Sequence, residues 1–272
     1  MLKRRLLTAL ILGIPVIWGV LALPSTWFGG GVLLFVMLGA WEWASLLGVS
    51  KPVGNLLYCT SVLISVAVAW YLLDMRMFMW MTLVVACAYW CYVLIWLSRY
   101  SANPHLRDTV FTWECAGIVT LVVPWVALMY LHSTPALGPS YVLFLMALVW
   151  IADTSAYFAG RRWGRNRLAP QISPGKTREG VFGAMLGGTV LSAAGAVLLG
   201  VSPEQWPLFA LVCLVTVAFS VAGDLFESML KRQHQRKDSG ELLPGHGGIL
   251  DRVDSLTAAA PIFVLCLHGL RT

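Results

Sequence analysis

The sequence predicts an all-α integral membrane protein of about nine transmembrane helices, with its amino terminus cytoplasmic and its carboxy terminus outside. Three observations lead there. Of 272 residues, 58% are hydrophobic and 12% charged, against about 25% charged in a soluble domain. The apolar residues gather in runs near the ~20 residues a spanning helix needs. The basic residues, finally, fall unevenly among the connections between those runs.

Nine apolar runs can be marked, at 6–23, 28–47, 54–73, 77–97, 114–131, 141–159, 180–200, 207–227 and 252–270. Each is expected to be helical, because a helix satisfies its own backbone polar groups in lipid. The first follows Lys3, Arg4 and Arg5 as a signal peptide would. It is longer than the ~7–15 apolar residues of a cleaved leader and lacks a small-residue cleavage site, so it reads as an uncleaved first span. Alternating the runs from a cytoplasmic amino terminus leaves only Arg76 and Arg271 outside, which puts 17 of the 19 basic residues inside. That bias sets the orientation and requires an odd number of spans.

The outer connections, at 24–27, 74–77, 132–140 and 201–206, are short, whereas two inner ones, 160–179 and 231–250, join basic residues to glycine and proline. Function is therefore expected on the cytoplasmic face of the cytoplasmic (inner) membrane. The chain divides into amino-terminal transmembrane helices, 1–140, and a carboxy-terminal transmembrane catalytic region, 141–272, with two cytoplasmic loops, within one continuous membrane domain. The net charge of +6 is explained by topology and phosphate binding, and nucleic acid is not an expected partner. The six cysteines lie in or beside apolar runs without metal-ligand spacing, as structural thiols do.

The densest polar stretch, Gly223 to Ser255, starts at the inner end of the eighth run and finishes in the ninth. On the eighth helix Asp224, Glu227, Ser228 and Lys231 share one face, and on the ninth Asp251, Asp254 and Ser255 do. Carboxylates at membrane depth are expensive and usually functional. Oxygen ligands without cysteine or clustered histidine suit a hard cation such as Mg²⁺, which takes one or two carboxylates and completes its shell with water and substrate phosphates. Lys231, Arg232, Arg236 and Lys237 in the connection supply cations for phosphate oxygens. His246, Gly247 and Gly248 lead into the ninth helix, where free N–H groups and a close backbone suit an anion. Together these parts describe a nucleoside triphosphate site for phosphoryl-type transfer.

The run from Ser228 to Asp254 resembles the signature of the phosphatidate cytidylyltransferases, the CDP-diacylglycerol synthases. Ser228, Leu230, Lys231 and Arg232 match its opening, and Lys237, Asp238, Gly240, Leu243 and Pro244 its middle. His246, Gly247, Gly248, Asp251, Arg252 and Asp254 match its close. Upstream, Ser173, Pro174, Lys176, Thr177, Glu179 and Gly180 match a second cytoplasmic element, with departures at Gly175 and Ser155. Gly175-Lys176-Thr177 also mimics the end of a P-loop, but Pro170 stands where that motif needs glycine and no strand precedes it.

The resemblance implies a transfer of the cytidylyl group from CTP to phosphatidate, with CDP-diacylglycerol and pyrophosphate as products, on Mg²⁺ with room for a second cation. Asp224 and Asp251 are the expected metal ligands and catalytic residues, joined by Lys231 and by Asp254. Asp153, Ser173, Lys176, Ser228, Arg232, Lys237, His246, Gly247, Gly248 and Arg252 are the expected substrate-binding residues. The partners are CTP, phosphatidate and membrane lipid, and a homodimer is compatible with the sequence. Glu42, between Trp41 and Trp43, either reaches the site or serves packing, and the sequence leaves both readings open. Two other functions use similar parts. A CTP-dependent lipid kinase would release CDP instead of pyrophosphate, and a secondary transporter would use buried acids as ion sites near the midplane.

Overall fold

The computed structural model describes residues 13–48, 52–103, 108–240 and 247–271. Among them are nine α-helices: α1 (Gly13–Ala22), α2 (Ser25–Leu46), α3 (Pro52–Leu72), α4 (Arg76–Ala102), α5 (Val110–His132), α6 (Gly138–Trp163), α7 (Arg178–Leu198), α8 (Trp206–Gln233) and α9 (Leu250–Arg271). Seven, α2 to α8, are long and apolar enough to cross a membrane. The described part of α1 is shorter, and α9 opens on Asp251, Arg252 and Asp254. The molecule is an all-α multi-pass membrane protein.

Helix ends follow local chemistry. Thr109 caps α5 by accepting the Thr112 N–H at 3.1 Å, and Thr177 caps α7 by accepting the Gly180 N–H at 3.1 Å. Pro207 lies in the first turn of α8, where its missing N–H costs nothing. Gly200 follows α7 with φ +66°, a left-handed stop.

α5 runs opposite to α2 and to α8. At one end Ser25 of α2 and His132 of α5 pair at 2.9 Å, and the same imidazole meets the Val20 carbonyl of α1. At the opposite end Trp43 of α2 donates to the Trp113 carbonyl of α5 at 3.0 Å, and Trp113 donates to Gln233 of α8 at 3.2 Å. Gln233 in turn donates to Asp108 at 2.8 Å. α5 is the most buried of the seven spans and keeps its internal Pro124 in the core. The rings of Trp43, Trp90, Trp96 and Trp113 surround Phe226 of α8. α7 instead turns Phe182, Leu186, Val190 and Val197 outward, as a lipid-facing helix does.

Two features differ from the sequence expectation. The connection after α6 holds a short antiparallel hairpin, β1 (Arg167–Ala169) and β2 (Ser173–Thr177), with Arg167 opposite Thr177 and Ala169 opposite Ser173. Its base is closed by Glu179, which accepts from the Asn166 side chain at 2.8 Å. α8 also continues six residues past the apolar run, to Gln233, so Lys231 and Arg232 stand on a helix and not in a loop. The polar last turns of α8 remain tied to α9 through Lys231 and Asp251, so the helix continues beyond the apolar run.

Candidate active site

The hairpin, the carboxy-terminal half of α8 and the start of α9 meet at one end of the bundle. Lys176 of β2 pairs with Asp224 of α8 at 2.5 Å. About two helical turns further along α8, Lys231 pairs with Glu227 at 3.0 Å and crosses to Asp251 of α9 at 2.5 Å. Arg232 donates from Nε to the Ile172 carbonyl at 3.2 Å, fastening the hairpin turn to α8. Asp153 of α6 joins the group through the Ser255 hydroxyl, within electrostatic reach of Asp224 and Lys176. Asp254 faces the charges of Asp224 and Glu227 and accepts the Ser255 N–H at 2.7 Å.

The site is recessed. Asp153 lies ten residues before the end of α6, and Asp224 nine before the end of α8, which at ~1.5 Å per residue is roughly 14–15 Å from the helix ends. The two ion pairs differ in access. The side chains of Lys176 and Asp224 are 24% and 30% exposed, while those of Lys231 and Glu227 are 12% and 5% exposed. The Lys176–Asp224 pair is thus the more open of the two, and Lys231, Glu227 and Asp251 the more enclosed.

Asp251 is held with one oxygen committed. Its Oδ2 accepts the Ser239 N–H at 3.1 Å, the Ser239 hydroxyl at 2.9 Å and the Gly248 N–H at 2.9 Å. Its Oδ1 is left to face the Lys231 ammonium. Gly247 adopts φ +80°, a region where L side chains are strained, and a Cβ there would meet Asp251 Oδ2 at 2.9 Å. Behind this turn, Glu42 of α2 accepts the N–H groups of Ile249 and Leu250 at 2.9 Å each and the Ser239 hydroxyl at 3.1 Å.

Comparison with known proteins decides the family. Residues 3–270 match the model of the Cytidylyltransferase family. The chain belongs to that family. It is 36% identical over 267 residues to a phosphatidate cytidylyltransferase of Pseudomonas aeruginosa, covering 98% of this chain and 97% of that one. It is 34% identical over 286 residues to a phosphatidate cytidylyltransferase of Haemophilus influenzae, covering 97% of each chain. A Brucella abortus protein of the same name is 34% identical over 272 residues, covering 97% of this chain and 92% of that one. The resemblance seen in the two polar stretches thus extends along nearly the whole length.

Within this cytidylyltransferase, the structure brings together Asp153, Lys176, Asp224, Ser228, Lys231, Asp251 and Asp254 of the residues expected from the sequence. Ser228 sits beside Asp224, its hydroxyl 3.5 Å from Oδ1. Gly247 and Gly248 line the Asp251 turn. Ser173 opens β2 opposite Ala169. Lys237 is exposed in the turn after α8, and Arg252 is exposed on the first turn of α9. His246 lies outside the described residues. The sequence places Glu227 on the polar face without assigning it to the site, leaves Glu42 open and does not mark Ser239. A carboxylate flanked by tryptophans at membrane depth was the signal for Glu42; Ser239 gave none.

The donor set fits a hard divalent cation. Asp153, Asp224, Glu227, Asp251 and Asp254 bring five carboxylates to a region where Lys176 and Lys231 are the ammonium groups paired with them. Glu227 Oε1 is buried and has no hydrogen-bond partner. Among the described residues no three His, Cys, Asp or Glu side chains converge at ligand distance. A Mg²⁺ ion usually takes one or two carboxylates and its other ligands from water and phosphates.

Proposed function

We propose that the protein transfers the cytidylyl group of CTP to phosphatidate, forming CDP-diacylglycerol and pyrophosphate. It is a nucleotidyltransferase of phospholipid biosynthesis, as its membership of the cytidylyltransferase family and its full-length phosphatidate cytidylyltransferase relatives indicate. The observation that supports the site assignment is the pairing of two lysines with carboxylates of α8 and α9 in one recess.

The nucleophile is an oxygen of the phosphatidate phosphate, already an anion. It forms a bond to the α-phosphorus of CTP while the bond from that phosphorus to the bridging oxygen breaks, and pyrophosphate leaves with the electron pair. No covalent enzyme intermediate and no general base are required. The residues must gather two polyanions and offset the charge that develops between them. Lys176, in the more exposed pair, is placed to exchange Asp224 for a phosphate of the incoming nucleotide. Lys231, in the more enclosed pair, is placed to exchange Asp251 for a second phosphate while Glu227 keeps its ammonium oriented. Asp224 and Asp251 Oδ1 would hold Mg²⁺, with Asp254 and Glu227 adjacent for a second cation. Bound there, the metal would supply positive charge to the phosphate oxygens and to the leaving pyrophosphate. Arg252 and Lys237 are assigned to the outer phosphates, and Asp153 and Ser255 to the wall nearest α6.

The same reading places the protein in the cytoplasmic membrane with nine spans. Its amino terminus and the site would face the cytoplasm, so that CTP enters from water and phosphatidate laterally from the leaflet. The basic bias of the connections supports that orientation. The test is one assay: purified protein, phosphatidate, labelled CTP and Mg²⁺. Labelled CDP-diacylglycerol with release of pyrophosphate is expected. Release of CDP, with label from the γ-phosphate in the lipid, would instead identify a kinase.

A further inference from the structure

We propose that Glu42 is a positioning residue for the transfer site: from α2 it fixes the start of α9 and the Ser239 segment so that Asp251 presents Oδ1, and not Oδ2, to the bound cation. The inference rests on the cation-site reading of Asp251 given above.

Glu42 is 2% exposed in a membrane-spanning helix, where a lone carboxylate is costly. Each of its oxygens is spent on the chain some 200 positions away. Oε1 accepts the Ile249 N–H, and Oε2 accepts the Leu250 N–H and the Ser239 hydroxyl. The first two are amides at the opening of α9, free of helical partners and at the positive end of the helix dipole, so an anion is the fitting cap. The third donor is shared: the Ser239 hydroxyl lies 3.1 Å from Glu42 and 2.9 Å from Asp251. The backbone comes close because two residues lack side chains. A Cβ on Gly240 would stand 2.6 Å from Glu42 Oε1, and one on Gly248 2.5 Å from Oε2.

The consequence reaches Asp251. Two of the three donors that occupy its Oδ2 belong to Ser239 and the third to Gly248, and both of these residues are seated against Glu42. Without that seat Asp251 can rotate, and Oδ1, which meets the Lys231 ammonium, no longer faces the recess. A carboxylate on α2 would then act on the chemistry without touching substrate.

The experiment compares wild type with Glu42→Gln and Ser239→Ala in detergent. Glutamine keeps the shape but cannot accept at both ends. Amide exchange is read across the chain, together with the Mg²⁺-induced rise in Tm in the absence of substrates and the Mg²⁺ dependence of kcat. In Glu42→Gln, exchange at Ile249 and Leu250 should quicken at least tenfold while α5 and α8 are unchanged. The Mg²⁺ needed for half-maximal activity should rise at least tenfold, and the metal-induced rise in Tm should shrink. Ser239→Ala should reproduce the metal effects more weakly. Unchanged exchange at Ile249 and Leu250, or unchanged metal dependence in both variants, overturns the proposal. So does faster exchange throughout Glu42→Gln combined with wild-type metal dependence in Ser239→Ala, which would make Glu42 a packing residue alone. A wild type that makes no CDP-diacylglycerol would sink the proposed function instead, and the exchange measurement would still decide whether Glu42 holds the start of α9.

Discussion

Lys176 and Lys231 stand in similar pairs but in different solvent. Lys176 and Asp224 are partly open, and exposed pairs are worth about 0–1 kcal/mol to stability. Replacing either should therefore cost function more than folding. Lys176→Ala is expected to lower kcat/KM for CTP about 10–100-fold, the equivalent of roughly 1.5–3 kcal/mol for a charge-assisted hydrogen bond. Lys237→Ala, exposed beyond the helix, should have a smaller effect; equal losses in the two variants would remove the distinction between the recess and its surroundings. Asp224→Asn keeps the volume and removes the charge, so it should abolish activity and leave Tm in detergent nearly unchanged. An active Asp224→Asn enzyme would remove that residue from the mechanism. The sequence made these residues visible by spacing along a helix. It did not make visible that Lys231 spans Glu227 and Asp251, because that contact depends on how α8 and α9 cross.

Between elements, the hairpin works as an arm that delivers Lys176 to Asp224. Its position is set by Thr177, which caps α7 with its hydroxyl, and by Glu179, which closes the base on Asn166. Thr177→Ala removes the cap at a cost of about 0.5–2 kcal/mol, and it also frees the strand end next to Lys176. A lower Tm accompanied by a several-fold rise in KM for CTP is expected; a change in Tm alone would confine Thr177 to folding. The α6–α7 seam is equally specific. A Cβ at Gly183 would come 2.8 Å from the Ser155 carbonyl, so Gly183→Val should destabilise the bundle by about 1–3 kcal/mol through overpacking, measurable as a drop in Tm. The helices were legible because an apolar run of sufficient length has one solution in lipid. The hairpin was not, since strands of three and five residues are too short to show alternation.

For the whole molecule, the alternating helices bring the end of α2, the start of α5, the hairpin and the α8–α9 connection to one end. The proposed orientation makes that end cytoplasmic. Cysteine at exposed Arg165, in the hairpin region, should then resist an impermeant thiol reagent in intact cells, and cysteine at exposed Ser202, after α7, should react. The reverse pattern would turn the site outward and deny it cytoplasmic CTP. Hydropathy, the basic bias and two spaced motifs were enough for the sequence by itself to determine the membrane class, the order of helices and the family. Each of these is written in local composition or in short fixed spacings. Tertiary structure alone decided which oxygen of Asp251 takes the Ser239 and Gly248 donors, which lysine is the more exposed, and that Glu42 reaches Ile249 across 207 positions. Those facts depend on how packed helices face one another, and side-chain packing between distant segments leaves no period in the chain.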